Sequence, residues 1–322
     1  MRRREFIAGL SAAAAWPRVA RAQPAKSPVR LGFFPLGSPD NKYDQSLVEA
    51  FRLGLRQLGW VEGRDVMLDV AWISGDPNQV VSKVLKRGAD LLITCGSSAS
   101  VAAKEQATIP VVFISVGDPV AMGLAESLSH PGRNATGFSD MLADLSGKLV
   151  DLASGFPHGS IDYLWYTAWP DGQNRYQATE QAAQAAGMNL RSNGIAEIGQ
   201  LNNVLSTMRQ SGSRMVIVQP SPFTYQQRER IITSAMKNGL GTIFGFPVAA
   251  REGSLIAYGP DYVDMYRRAP IYVDRILRGT KPAELPVQQP TKVELLVNVS
   301  SANTLGIDIP LSVLIRADEV IE

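Results

Sequence analysis

The residues able to do chemistry gather in short blocks that each follow an apolar run. Cys95-Gly96-Ser97-Ser98-Ala99-Ser100 comes after one such run and opens a helical pattern. Backbone N–H groups and the hydroxyls of Ser97 and Ser98 then meet at a positive helix N-terminus, where a carboxylate or other anion is stabilised. One of these two serines is also expected to cap the helix. Val116-Gly117-Asp118-Pro119 follows the next run in the same way. Asp118 can accept hydrogen bonds from an ammonium or hydroxyl group, or cap the turn before Pro119. Gly37-Ser38-Pro39-Asp40 forms a third loop on the same rim and adds Ser38. In the second half of the chain the corresponding positions are aromatic: Tyr166–Trp169, Pro220-Ser221-Pro222-Phe223 and Phe244-Gly245-Phe246-Pro247. Tyr166, Trp169, Ser221, Phe223 and Phe246 are therefore candidates for a wall that binds a flat or apolar ligand through buried area and stacking.

Catalytic constellations are hard to assemble from what remains. Gly-x-Ser-x-Gly, Gly-x-x-x-x-Gly-Lys-Ser/Thr and His-Glu-x-x-His are all absent. The two histidines, His130 before Pro131 and His158 after Pro157, read as solvated loop residues. Two histidines and one cysteine leave too few ligands for a zinc site, an iron–sulfur cluster or a disulfide framework. The reading is of a binding protein without metal, cofactor or catalytic residues.

The elements that must position these blocks alternate in type. Strands are expected at Val29–Phe34, Val66–Trp72, Leu91–Thr94, Val111–Ile114 and Ala135–Phe138. Helices at Tyr43–Leu58, Pro77–Arg87, Ser98–Gln106 and Val120–Leu128 separate them. The cycle then restarts, with strands at Ile161–Tyr166, Asn189–Asn193, Met215–Gln219 and Thr242–Phe244. Helices are expected there at Leu142–Ala153, Arg175–Ala186, Leu201–Gln210 and Tyr225–Asn238. Strand Leu255–Tyr258, helix Tyr262–Leu277 kinked at Pro270, and strand Val293–Val299 return to the two halves. The fold class is α/β: two doubly wound parallel-sheet lobes with a cleft between them. The expected division is 28–138 plus 258–288 for one lobe and 139–257 plus 289–322 for the other.

Length and charge agree with this. At 322 residues the chain exceeds the roughly 250–300 at which a single core stops growing. Its 32 Lys+Arg and 30 Asp+Glu are too balanced for a protein that tracks nucleic-acid phosphates. Residues 1–22 have the basic start, short apolar stretch and Ala20-Arg21-Ala22 ending of an export signal, with cleavage expected after Ala22. Arg3-Arg4-Glu5-Phe6-Ile7 resembles the twin-arginine export motif. The leader's five arginines and one glutamate carry +4, so its removal takes the formal charge from +2 to −2. A soluble periplasmic monomer is expected.

Several blocks together resemble the ABC-transporter substrate-binding proteins related to tryptophan/tyrosine uptake components. They are Leu58-Gly59-Trp60-Val61-Glu62-Gly63, Pro110–Pro119 with its Val-Gly-Asp-Pro, and His130-Pro131-Gly132-Arg133-Asn134-Ala135-Thr136-Gly137. Tyr258-Gly259-Pro260-Asp261, Leu285–Lys292 and the closing Arg316–Glu322 continue the likeness, which spans residues 29–322. The resemblance implies a type I periplasmic binding fold with a three-strand hinge that closes around a small solute. It also implies transient docking on an ABC permease in the inner membrane and no chemistry on the ligand. The solute would be an amino acid or aromatic compound, its carboxylate near Ser97 and Ser98 and a polar group near Asp118. Where many members have Gly-Gly-Thr-Pro, this chain has Cys95-Gly96-Ser97-Ser98, so the pocket floor differs. A sensory module for a membrane receptor is the alternative reading.

Overall fold

The computed structural model describes residues 27–142, 145–156, 160–169 and 171–322. The expected export signal and His158 lie outside them. Strands β1 (Val29–Phe34), β2 (Val66–Val70), β3 (Leu91–Cys95), β4 (Val111–Val116) and β5 (Ala135–Ser139) form one sheet in the order β2-β1-β3-β4-β5, all parallel. β3, β4 and β5 are buried along their whole length, because helices cover both faces of a parallel sheet. Helices α1 (Lys42–Gln57), α2 (Pro77–Lys86) and α3 (Ser97–Gln106) supply that cover. α1 is amphipathic: Leu47, Phe51 and Leu55 face inward, and the Asn41 side chain caps its start by accepting from Asp44 N.

The second sheet has seven strands. β6 (Ser160–Tyr166), β7 (Asn189–Ile195), β8 (Met215–Val218), β9 (Gly241–Phe244), β10 (Ile256–Pro260), β11 (Val293–Asn298) and β12 (Glu319–Ile321) lie in the order β12-β11-β10-β9-β8-β6-β7. All neighbours are parallel except β10 and β11, which run antiparallel. The intervening helices are α4 (Ser146–Ser154), α5 (Gly172–Ala185), α6 (Leu201–Gln210), α7 (Pro222–Gln226), α8 (Arg228–Lys237) and α9 (Val248–Arg251). After β10 come α10 (Tyr262–Arg268) and α11 (Pro270–Leu277); α12 (Val299–Leu305) and α13 (Leu311–Leu314) precede β12. The expected kink at Pro270 is a division: Ala269 ends α10 and Pro270 occupies the first position of α11.

The expected two-lobed α/β fold is therefore present. α10 and α11 return to the first lobe. Tyr266 OH accepts from Leu36 N, and Trp60 Nε1 donates to Asp274. The chain passes between the lobes three times: after β5, after β10 and before β11. The first and third passages run side by side, Gln288 N donating to Gly137 O and Ser139 N to Gln288 O at 2.9 and 2.8 Å. β10 stays in its sheet through Pro260, so the second crossing falls just beyond the expected position 258.

Four local expectations need correction. Val120–Leu128 is a set of turns, not a helix. Asp118 does accept from Val120 N and Ala121 N, but Gly123 adopts φ +64°, and Leu124 N and Ala125 N both turn back to Pro119 O. α4 starts at Ser146 instead of Leu142. The helix expected over Tyr225–Asn238 begins at Pro222 and is split at Gln227. Neither Ser97 nor Ser98 caps α3; Gly96 holds the cap position at φ +77°, with no side-chain bond.

One buried ion network joins the lobes. Arg228 of α8 lies between Asp44 of α1, at 3.0 Å, and Glu252, at 2.8 Å. Asp44 also accepts from Tyr225 OH and Ser38 N, each at 2.9 Å. The Arg228 guanidinium sits 4.4 Å from the Tyr225 ring centroid.

Candidate functional site

The loops at the carboxyl ends of both sheets face each other across the cleft, where open α/β sheets bind ligands. An inner chamber sits between them, lined from the first lobe by Ser97, Ser115, Gly117 and Asp140. Trp169, Arg175, Ser221, Tyr225 and Phe246 line it from the second, and Tyr262 from the crossing after β10. The first lobe shapes this chamber with strained backbone. Ser115, at a bulge in the β4–β5 pairing, has φ +58°, and Met141, next to Asp140, has φ +53°. Both are left-handed conformations that non-glycine residues rarely adopt. The bulge lets Ser115 Oγ donate to Asp140 Oδ2 at 2.7 Å, while Leu142 N donates to Oδ1 at 3.1 Å. Asp140 is buried, and burial raises its carboxyl above the ordinary value although Ser115, Leu142 and the Arg175 charge pull it back.

Arg175 faces Asp140 from the opposite lobe. It stands in the first turn of α5, 7% exposed, with Nε bonded to Asp171 at 2.6 Å and the guanidinium 5.6 Å from the Trp169 ring centroid. Its Nη1 is buried without a partner, as is Tyr262 OH; they are two of four such atoms among the described residues. Buried polar groups are nearly always satisfied, so these two mark places for an absent acceptor or donor. Gly117 makes the approach of Arg175 possible: a Cβ there would lie 2.5 Å from Arg175 Nη2 and 3.7 Å from Asp140 Oδ1. The opposite charges thus converge on one point without forming a salt bridge. An ammonium or hydroxyl donor suits the Asp140 side and an anion the Arg175 side. Phe246 meets Tyr225 edge-on at 5.0 Å and Tyr262 at 6.1 Å, giving the chamber an aromatic wall.

Of the residues expected from sequence, Ser97, Trp169, Ser221 and Phe246 line this chamber. Ser221 Oγ is also engaged as the cap of α7, accepting from Thr224 N. Ser98 and Asp118 lie further out, in a second cavity that Ser97, Trp169 and Arg175 also line. Ser38 is not brought to the others: it borders a separate depression beside Asp44 and Arg228. Tyr166 and Phe223 stack on each other with centroids 4.0 Å apart and planes 8° apart, and line neither chamber. His130 is exposed, and no group of three His, Cys, Asp or Glu among the described residues could hold a metal ion.

A profile of the ABC transporter substrate binding protein family matches residues 43–321. The chain belongs to that family. A tyrosine-binding protein of Clostridioides difficile is 23% identical to this substrate-binding protein over 264 residues, covering 80% of this chain and 75% of the relative. Among solved structures, an ABC domain from Streptococcus pneumonia in complex with L-Trp is similar with a TM-score of 0.81. It is 20% identical, with 92% of this chain and 100% of the other covered. A ligand-free, open substrate-binding protein with adhesive properties from Clostridium difficile gives 0.63 at 20% identity, covering 91% and 99%. These likenesses identify the type I periplasmic binding fold. The family comprises solute-binding proteins, not enzymes, and its members are typically extracytoplasmic. No helix among the described residues of this substrate-binding protein is long and apolar enough to cross a membrane.

Sequence reasoning missed Asp140, Arg175, Ser115, Tyr225 and Tyr262. Asp140 follows β5 as Asp118 follows β4, which was the available signal. Because Gly96 caps α3 without a side-chain bond, Ser97→Ala in this substrate-binding protein should cost less than the roughly 1 kcal/mol of a lost cap. A fall of about 1 kcal/mol or more in chemical denaturation, the size of a lost cap, would restore the capping role.

Proposed function

We propose that this protein is the exported solute receptor of an ABC importer and that it binds a small zwitterion of the α-amino-acid type in the interlobe cleft. The observation that carries this is the convergence of buried Asp140 and Arg175 from opposite lobes, with Arg175 Nη1 unpartnered. Asp140 receives the ammonium. Arg175 binds the carboxylate, assisted by Ser97 and the N-terminus of α3. Tyr225, Phe246, Tyr262 and Trp169 exclude water around the pair, strengthening both contacts. The lobes, bounded by the crossings that follow Asp140, follow Pro260 and precede β11, rotate about those three crossings. An inner-membrane permease recognises the closed form. The relatives that bind tyrosine and L-Trp support an amino acid as the solute.

A thermal-shift screen of the mature protein tests the ligand class. A ligand at 100 times its Kd should stabilise by about 2.7 kcal/mol. Free α-amino acids are expected to do so, and their N-acetyl and carboxamide derivatives are not. Stabilisation by sugars alone, or equally by blocked and free amino acids, would overturn the zwitterion reading.

Export is tested separately. The leader belongs to the twin-arginine route in this proposal, so replacing Arg3 and Arg4 together with Lys should leave the precursor in the cytoplasm. Undiminished export of that variant assigns the protein to the general pathway.

A further inference from the structure

The two cavities of the cleft differ greatly in room. The inner chamber leaves about 20 Å³ free, space for about one water, whereas the outer cavity holds about 670 Å³. A benzene ring needs a cavity of about 150 Å³. The inner chamber can therefore receive a group about the size of a water, such as an ammonium, but not a side chain in the arrangement seen here. Ser97, Trp169 and Arg175 line both cavities, so they form the passage between them. The buried, unpartnered Arg175 Nη1 stands at this junction.

The outer cavity has walls of a definite character. Val101, Ala102 and Met122 from the first lobe and Trp169 and Ala178 from the second are apolar. Its charged groups are Glu105, Asp118, Asp171 and Arg175. Asp171 is neutralised by Arg175, and Asp118 is held only by the backbone N–H groups of Val120 and Ala121. Glu105 and Asp118 make no salt bridge among the described residues. The nearby cation, Lys104, donates to Met122 O and does not line the cavity.

We propose that the outer cavity is a side-chain subsite. It takes the body of an amino acid with a long apolar side chain, neutral or cationic at its far end, and rejects one that ends in a second carboxylate. This rests on the zwitterion reading of the inner chamber and extends it. The bound solute spans both cavities, its head between Asp140 and Arg175 and its chain running past Trp169 between α3 and α5. Glu105 and Asp118 set the sign of charge accepted at the far end.

Isothermal titration of the mature protein with L-alanine, L-norleucine, L-lysine and L-2-aminoadipate separates length from charge. Norleucine and lysine are expected to bind at least tenfold more tightly than alanine, and 2-aminoadipate at least tenfold more weakly than norleucine. Ala178 is exposed on α5, so Ala178→Trp should fold normally and obstruct the cavity beside Trp169. It should weaken lysine and norleucine at least tenfold and leave alanine unchanged. Equal affinity for alanine and the longer ligands, or an Ala178→Trp variant that binds lysine like the wild type, overturns the subsite. If Arg175→Met abolishes binding of all four while Ala178→Trp is silent, the head-group reading stands and the subsite falls. Failure of all four to bind the wild type overturns the subsite, and the head-group reading falls with it only if no free α-amino acid stabilises the protein in the thermal-shift screen.

Discussion

Arg228→Met should destabilise the mature protein by about 3–5 kcal/mol, the usual result of removing one partner from a buried ion pair. Arg228 and Asp44 are 2% and 1% exposed, so the change strands the Asp44 carboxylate with only Tyr225 OH and Ser38 N for company. Burial already raises the Asp44 carboxyl above its ordinary value, with Arg228 the largest influence opposing it. Loss of Arg228 raises it further. A carboxyl raised in the folded state binds more protons there than in the unfolded chain, so stability falls as pH rises through the window above the ordinary value of 3.8. The deficit of the variant should therefore shrink as the pH is lowered toward that value. Adding Asp44→Asn to Arg228→Met should recover part of the loss, because no uncompensated charge then remains. Denaturation midpoints at several pH values check this. A variant as stable as the wild type at neutral pH would mean that water solvates the network in solution.

The largest expected effect on binding is at Arg175. For an α-amino acid found to bind, Arg175→Met should raise Kd by at least about 30-fold. Truncating one partner of a buried, hydrogen-bonded charge pair costs about 2–5 kcal/mol, and each 1.4 kcal/mol is about tenfold. Asp140→Asn should weaken the same ligand, and its effect should vanish for an analogue lacking the amino group. Stability should fall less than in Arg228→Met, because Asp171, the partner left behind, is 29% exposed and can be solvated. Unchanged affinity in Arg175→Met, measured by titration calorimetry, would remove the guanidinium from the ligand's surroundings.

What could be read in the sequence, and what could not, follows the range of the forces involved. Strands such as β3 and β4 are continuous apolar runs, and Pro270 divides a helix wherever it falls, so both were legible locally. Val120–Leu128 misled because Asp118-Pro119 is a genuine helix-start signal, and only the left-handed Gly123 ends the turn at once. Ser97, Trp169 and Phe246 reach the chamber because their blocks sit at strand ends, a rule of topology. Ser38 occupies the same kind of loop, but its backbone N–H is drawn to Asp44 and into the ion network. Tyr166 and Phe223 find each other across two strand ends, a pairing no local pattern reveals. Asp140 looks in sequence like any aspartate after a strand, and Arg175 like the exposed partner of an Asp171 four residues earlier. Their burial opposite one another depends on how the lobes meet.

Cys95, the chain's one cysteine, ends β3 inside the first lobe. Burial pushes its thiol well above the usual range, so the reactive thiolate is scarce and shielded. A cysteine introduced on the exposed rim, at Ala178 or Ser98, would then be the single site open to a maleimide dye. A fluorophore placed there sits beside the passage between the lobes, and its emission would report domain movement in real time. The molecule is, in this sense, already prepared as an optical sensor, with no native residue to remove first.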